Sequence, residues 1–368
     1  MQQSLTSLRN AVEGSIYRSC VKKVCFSYDA EKVHNFFIKT GVKIGSSELL
    51  KKITFLAFSY SDPSLRQDIL GIKFDNPVGL SAGFDKNAEL LKILPNVGFG
   101  FAEVGSITAL PCSGNPGIRL KRIPERKSIW VNLGLNNQGV NAIAPRLSNT
   151  RTNFPFGVSI AKTNCRETCN PRIGVKDYIV SLKTLYEKDI GDYYTLNISC
   201  PNAYGGQPFH EPKLFEMLLK EVRKIKVKKP IFVKISPDIG KRKLDKIINF
   251  SNKYGVSGFI CTNLTKKHEI GEGGISGKAV EDGANELLKY MAEKTKGKKI
   301  LIGVGGIFSA EDAYKKVRLG ANLVQLITGM IYQGPQLISE INHGLVRLLK
   351  KDRFTNISQA VGKDTYNK

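Results

Sequence analysis

The sequence predicts an α/β protein, a (β/α)8 TIM barrel with a small N-terminal helical extension. Three observations carry this. Short apolar runs recur at 77–82, 101–106, 156–161, 193–198, 231–236, 258–262, 300–304 and 323–327, closing on Gly, Asn, Ser or Thr. Helical patterns lie between them, at 175–188, 212–225, 241–254, 280–294 and 310–319. Strands alternating with helices imply a parallel sheet, and eight such units close into a barrel with its site at the C-terminal strand ends. Third, no G-x-G-x-x-G opens the first helix, so the competing open, doubly wound sheet lacks its fingerprint.

The N-terminal elements come first. Leu5, Leu8, Val12, Ile16 and Val24 fall near one face of a helix over 1–25. Asp29 is placed to cap a second helix carrying Val33, Phe36 and Phe37, and a third spans 47–60 with Leu49, Leu50, Ile53, Leu56 and Ala57 facing inward. Packing on the main domain is the expected fate of these helices, with a membrane interface or the frame of an apolar tunnel as the alternatives. The predicted units are therefore a helical segment 1–62, a barrel 63–350 and a mobile basic tail 351–368. The stretch 110–151 is too long for a βα loop and is expected to form a hairpin region over the barrel mouth.

Composition narrows the class. The chain has 368 residues, 41% of them hydrophobic, as soluble globular proteins do. No apolar run approaches the roughly 20 residues that span a bilayer. The start, MQQSLTSLRN, has neither the charged nor the apolar region of a secretory signal. Seven scattered cysteines point to a reducing compartment. Cys165 and Cys169 form a C-x3-C pair without a second pair, and the histidines are dispersed, so no metal centre is expected. The net charge of +24 attracts anions. The lysines are spread along the chain without an aromatic RNA-binding signature, which argues against nucleic acid. A solvated basic surface is the plain reading and an anionic membrane surface the next.

The strand ends carry the chemistry. The fourth run delivers Asn197, then Cys200, Pro201 and Asn202. Two amides and a thiol can grip a planar polar ligand and move a proton; an ordinary strand–loop junction with a buried cysteine is the structural alternative. The first run ends in Ala82, Gly83, Phe84, Asp85 and Lys86, where small residues let a ring approach the backbone. Lys234 sits within a barrel strand between Val233 and Ile235 and is expected to point at an anionic ligand, because a buried charge needs a partner. Ser106, Thr262 and Asn263 end other strands. Gly305-Gly306 and Thr328-Gly329 follow the seventh and eighth strands, where barrels often hold phosphate.

These residues stand in NPVGLSAGFDKNAE, GFGFAEVGSIT, GNPGIRLKRIPE, GLNNQGV, NISCPN, VKISPD, GGISGK, LIGVGGI and ANLVQLITGMIYQGP. In that order they resemble the dihydroorotate dehydrogenases, FMN enzymes of pyrimidine synthesis. The stretch CVKKVCFSYDAEKVHNFF resembles the helical extension of the membrane-associated, quinone-using class 2 enzymes. The resemblance implies FMN held by Ala82, Gly83, Phe84, Asp85, Lys86, Ser106, Ser159, Asn197, Lys234, Thr262, Gly277, Gly305, Gly306, Ile327 and Thr328. It implies dihydroorotate held by Lys86, Asn132, Leu133, Gly134, Leu135, Asn136, Asn197, Asn202, Asn263 and Leu264. Cys200 would be the general base and Lys234 would stabilise the reduced flavin; Lys86 would favour the thiolate if the fold brings it close. It also implies a cytoplasmic enzyme, peripheral on the inner face of the cell membrane, or on the mitochondrial inner membrane in a eukaryote.

Four departures stand out. Class 2 enzymes usually carry Ser where this chain has Cys200, the choice of the class 1 enzymes. Val131 stands where the family has Asn, with Asn132 one residue later; Leu264 replaces Ser or Thr, and Ser159 replaces Asn. Quinone is the expected acceptor, ahead of fumarate or NAD. The competing readings are an FMN barrel acting on another small cyclic substrate and, from charge alone, a non-enzymatic barrel that binds nucleic acid or lipid.

Overall fold

The computed structural model describes residues 2–150, 152–206 and 208–366. The N-terminal segment is α1 (Gln2–Ile16), one π-helical turn at Tyr17–Val21, α2 (Lys22–Ser27), α3 (Ala30–Gly45) and α4 (Glu48–Phe58). As expected, Asp29 caps α3, its Oδ1 accepting from the N–H groups of Glu31 and Lys32 at 3.1 and 2.9 Å. Ser47 caps α4.

The expectation that these helices bury their apolar residues fails. Leu8 is 64% exposed, Leu49 67% and Leu56 72%, and Leu5, Val12, Ile16, Phe36, Leu50 and Ile53 are exposed with them. Helical periodicity shows that a face is apolar; it does not show what covers it. The extension is nevertheless tied down. Arg9 donates to the carbonyls of Leu56 and Ser59 and to Ser339 Oγ, and the Tyr17 hydroxyl donates to Ile331 O at 2.8 Å.

A hairpin, β1 (Gln67–Ile69) and β2 (Ile72–Phe74), leads into the barrel. Its strands are β3 (Val78–Leu80), β4 (Phe101–Ile107), β7 (Phe156–Ile160), β8 (Tyr193–Asn197), β9 (Ile231–Ile235), β10 (Gly258–Cys261), β12 (Ile300–Val304) and β13 (Leu323–Leu326). They follow the chain around a closed ring, every pair parallel, with Gln325 beside Gly79 at closure. Every residue of β4, β7, β8, β10 and β13 is buried, as a sheet covered on both faces requires. Phe101, Tyr193, Phe232, Ile260, Ile302 and Leu323 pack together with Ile69 and Phe74 of the hairpin.

The stretch after β4 forms the expected hairpin, β5 (Leu120–Ile123) and β6 (Ser128–Val131). A strand that the sequence did not reveal, β11 (Gly274–Gly277), completes a three-stranded sheet. The helices are α5 (Val140–Ser148), α6 (Pro171–Glu187), α7 (Pro212–Lys224), α8 (Lys241–Lys253), α9 (Glu281–Thr295), α10 (Ala310–Leu319), α11 (Thr328–Gln333) and α12 (Leu337–Lys351).

The tail is not the free basic segment expected. Ile357 and Ala360 are fully buried, Arg318 pairs with Asp352 and Asp364, and Gly362 N–H donates to Val317 O. Two apolar residues three positions apart were too few to register as a period. Replacing Ile357 with alanine should cost about 2–5 kcal/mol, measured by chemical denaturation; an unchanged midpoint would show that the tail does not support the barrel.

Candidate active site

The strand tips converge as alternation along each strand dictates. On β8, Asn197 Nδ2 donates to Ser106 Oγ at 2.8 Å, and Asn197 Oδ1 accepts from Asn263 Nδ2 at 3.3 Å. The Tyr178 hydroxyl donates to Asn197 O at 2.7 Å and fixes the strand end. Beside Asn197 in the ladder stands Lys234, buried, its Nζ donating to Ser81 Oγ at 3.1 Å. Lys234 thus points inward, as expected. Cys200 and Asn202 follow on the loop, and the buried Asn202 Oδ1 has no hydrogen-bond partner among the described residues.

These side chains line one cavity. Ala82, Gly83, Phe84, Lys86, Thr262, Gly277, Gly305, Gly306, Ile327 and Thr328 line it too, as do Leu133, Leu135, Asn136 and Leu264. It continues past Leu120, Phe308 and Ile331 to Glu31 and His34 of α3.

Four of the expected ligand-contacting residues do not line this cavity. Asp85 is fully buried and outside the cavity lining; its carboxylate accepts from Glu89 and Leu90 N–H at 2.8 and 2.9 Å and shapes the turn that carries Lys86. Ser159 lies behind the lining, its Oγ 2.7 Å from Ser106 Oγ. Asn132 points away, accepting from Asn115 Nδ2 at 2.7 Å, while Val131 faces the cavity. Successive strand residues point to opposite faces, so Asn132 cannot stand in for a side chain at 131. Gly134, at φ +66°, is also outside the lining; its carbonyl accepts from Asn164 Nδ2.

Other cavity groups escaped sequence reading. His34 Nε2 lies 3.2 Å from Lys86 Nζ, and its ring meets Phe84 edge-on. Glu31 forms a bidentate pair with Arg119. With Asp29 capping α3, Glu31 and His34 at i and i+3 share a face; that spacing was the available signal. The cations nearest Cys200 in effect are Lys162 and Lys234, not Lys86. Lys162 is buried, and its Nζ donates to Tyr204 O at 2.8 Å, on the loop that carries Cys200.

Burial dominates the electrostatics. It pushes the Cys200 thiol up to about 11, against backbone donors at Asn202 and Ala203 and the two lysines. It lowers Lys86 to about 8, against Glu31 and Asp85, and His34 to about 3, so that ring is neutral. Lys234 is lowered by burial and supported by Glu103. The site therefore offers a thiol, a group of carboxamides and two ammonium groups around one slot, with an apolar passage leading to α3.

The family model described as dihydroorotate dehydrogenase matches residues 64–349. A dihydroorotate dehydrogenase (quinone) of Crocosphaera subtropica is 40% identical over 325 residues, covering 84% of this chain and 85% of that protein. One from Sulfurovum sp. (strain NBC37-1) is 37% identical over 356 residues, covering 94% and 97%. Among solved structures, ligand-free DHODH from Eimeria tenella superposes with a TM-score of 0.82 at 28% identity, over 91% of this chain and 99% of that one. A strand order, a cavity and matches that run through the whole barrel agree: the chain belongs to the dihydroorotate dehydrogenase family.

Proposed function

We propose that this enzyme oxidises dihydroorotate to orotate for pyrimidine synthesis with FMN as its cofactor and passes the electrons to a quinone. The observation that carries this reading is the convergence of Cys200, Asn197, Asn202, Asn263, Lys86 and Lys234 on one cavity that opens toward α3. The relatives' quinone-dependent activity supports the acceptor.

The residues fit a flavin. Lys234 has a single hydrogen-bond acceptor among the described residues, Ser81, which leaves ammonium donors for a ligand. Gly83, at φ +108°, has nothing nearer its missing Cβ than Ile327 at 3.9 Å, so a side chain there would project into the slot. Gly305 and Gly306 at positive φ offer backbone N–H groups where a phosphate would lie. FMN, when bound, accepts the hydride from the substrate.

The chain does the rest. Lys86 pairs with the substrate carboxylate. Asn197, Asn202 and Asn263 hold the ring's amide edges, with Asn136 beside them. Cys200 Sγ removes the proton from the ring carbon, and Lys162 and Lys234 favour its thiolate. Lys234 balances charge developing beside it. Val131, Leu264 and Pro201 form a dry wall over the slot.

Anaerobic mixing with dihydroorotate should bleach the yellow holoprotein, while dihydrouracil, which lacks the carboxylate for Lys86, should not. Equal bleaching by both would favour another cyclic substrate; a colourless protein that takes up no FMN would end the proposal.

The exposed apolar faces of α1, α3 and α4 and the net charge of +24 suit an anionic bilayer surface. No described helix is long and apolar enough to cross a membrane. The protein should co-float with anionic vesicles. Changing Ile53 and Leu56 to Asp removes about 1.5–3 kcal/mol of apolar burial each, hence roughly tenfold or more in partitioning per residue. Unchanged flotation would exclude this face.

A further inference from the structure

Beneath the slot lies a polar layer that the reaction above does not use. Glu103 of β4 is fully buried inside the barrel. Its Oε2 accepts from Thr195 Oγ1 at 3.2 Å and Gln325 Nε2 at 3.3 Å. Among the described residues its Oε1 has no partner, and Gln325 Oε1 and the Tyr193 hydroxyl have none but each other. The groups facing it are few. Neighbouring β7 presents Gly157 in register, and β3 presents Gly79, whose missing Cβ would strike Phe101. Strands β10 and β12 contribute Ile260 and Ile302 to the apolar layer below. Among the described residues the opposite charge that acts on it is Lys234 of β9, and each of the two steadies the other's ionised form against burial.

Such a carboxylate is costly. A buried acid with an unpaired oxygen is destabilising, and a packed apolar replacement is often neutral or better. Its geometry has a use, however, under a cofactor that changes charge. We propose that Glu103 is a redox-linked proton acceptor beneath the flavin site, taking up one proton when the flavin is reduced and releasing it on reoxidation.

The inference rests on the flavin reading above. Hydride transfer brings two electrons and one proton to the cofactor and leaves it one charge more negative. That charge competes with Glu103 for the field of Lys234. Glu103 loses its counter-charge, and its affinity for a proton rises. One solvent proton then adds to a carboxylate oxygen, giving a neutral acid. This supplies a donor in a layer where the carboxylate and the Gln325 carbonyl oxygen are acceptors only. The quinone takes the electrons in the second half-reaction, and the proton returns to solvent. Glu103 touches no reacting atom; it acts as a positioning residue through Lys234.

The test counts protons. Wild-type holoprotein and Glu103→Gln are titrated anaerobically with dithionite, with flavin bleaching followed beside an indicator dye in weak buffer and the protons released by dithionite's own oxidation subtracted with a protein-free blank. The wild type should take up two protons per two electrons over a window of pH and one outside it; Glu103→Gln should take up one throughout. The reduced-minus-oxidised infrared spectrum of the wild type should gain a carboxylic C=O band that the variant lacks. One proton at every pH in the wild type, or two that persist in Glu103→Gln, overturns the proposal. Should the variant not fold, the wild-type count and the band's shift on isotopic labelling of glutamate still decide. A chain that cannot be loaded with FMN fails earlier, at its visible spectrum, and overturns the underlying reading.

Discussion

Replacing Cys200 with alanine slows reduction of bound flavin by dihydroorotate by roughly 10²–10⁴-fold, the usual contribution of a positioned base, while FMN stays bound. Stopped-flow bleaching measures the rate and the visible spectrum reports occupancy. The pH dependence is the sharper signature. With the thiol at about 11, the reactive thiolate is the minor form at neutral pH, and its fraction rises tenfold per unit until pH reaches that value. Lys86 works the other way. At about 8, its ammonium is lost as pH rises, so substrate binding weakens above that point. Wild-type flavin reduction should therefore accelerate with pH at saturating substrate while the apparent affinity falls. Cys200→Ala should flatten the first trend and keep the second. A variant within about threefold of wild type at neutral pH, far short of that range, would remove Cys200 from proton transfer.

Lys234→Met should cost roughly 10²–10³-fold in the same rate, the scale of losing one preorganised electrostatic partner. It should also make the flavin harder to reduce, because the cation facing the developing negative charge is gone. The methionine matches the lysine stem in an apolar strand between Val233 and Ile235, so folding should survive, and thermal melting checks that. An unchanged reduction potential would mean that Lys234 does not face the flavin.

The barrel was legible because its signal is repeated: each strand is a short apolar run closed by a turn residue, with a helical period after most. The tips were legible for the same reason, since a site at the C-terminal ends must be built from Ala82–Lys86, Asn197–Asn202 and their counterparts. What escaped was whatever depends on direction or on distant partners. Asn132 and Val131 are neighbours in sequence and opposites in space. Asp85 sits in the same motif as Lys86, yet its side chain serves the turn. Lys162 looked like any surface lysine until the loop at Tyr204 closed over it. β11 is four residues after a glycine-rich turn and shows as a strand only once β6 is beside it. The helical extension read as amphipathic, but periodicity ranked packing on the barrel ahead of the membrane interface or apolar tunnel that an open face would suit.

The Glu31–Arg119 clasp joins α3 to β5 across the rim of the cavity, and His34 on the same helix meets Lys86. The extension is thus a wall of the cavity as well as the carrier of the exposed apolar faces. Clipping it off would strip Lys86 of its His34 neighbour, so a truncation disturbs the cavity together with the exposed surface, whereas point changes on the outward side of α4 address that surface alone.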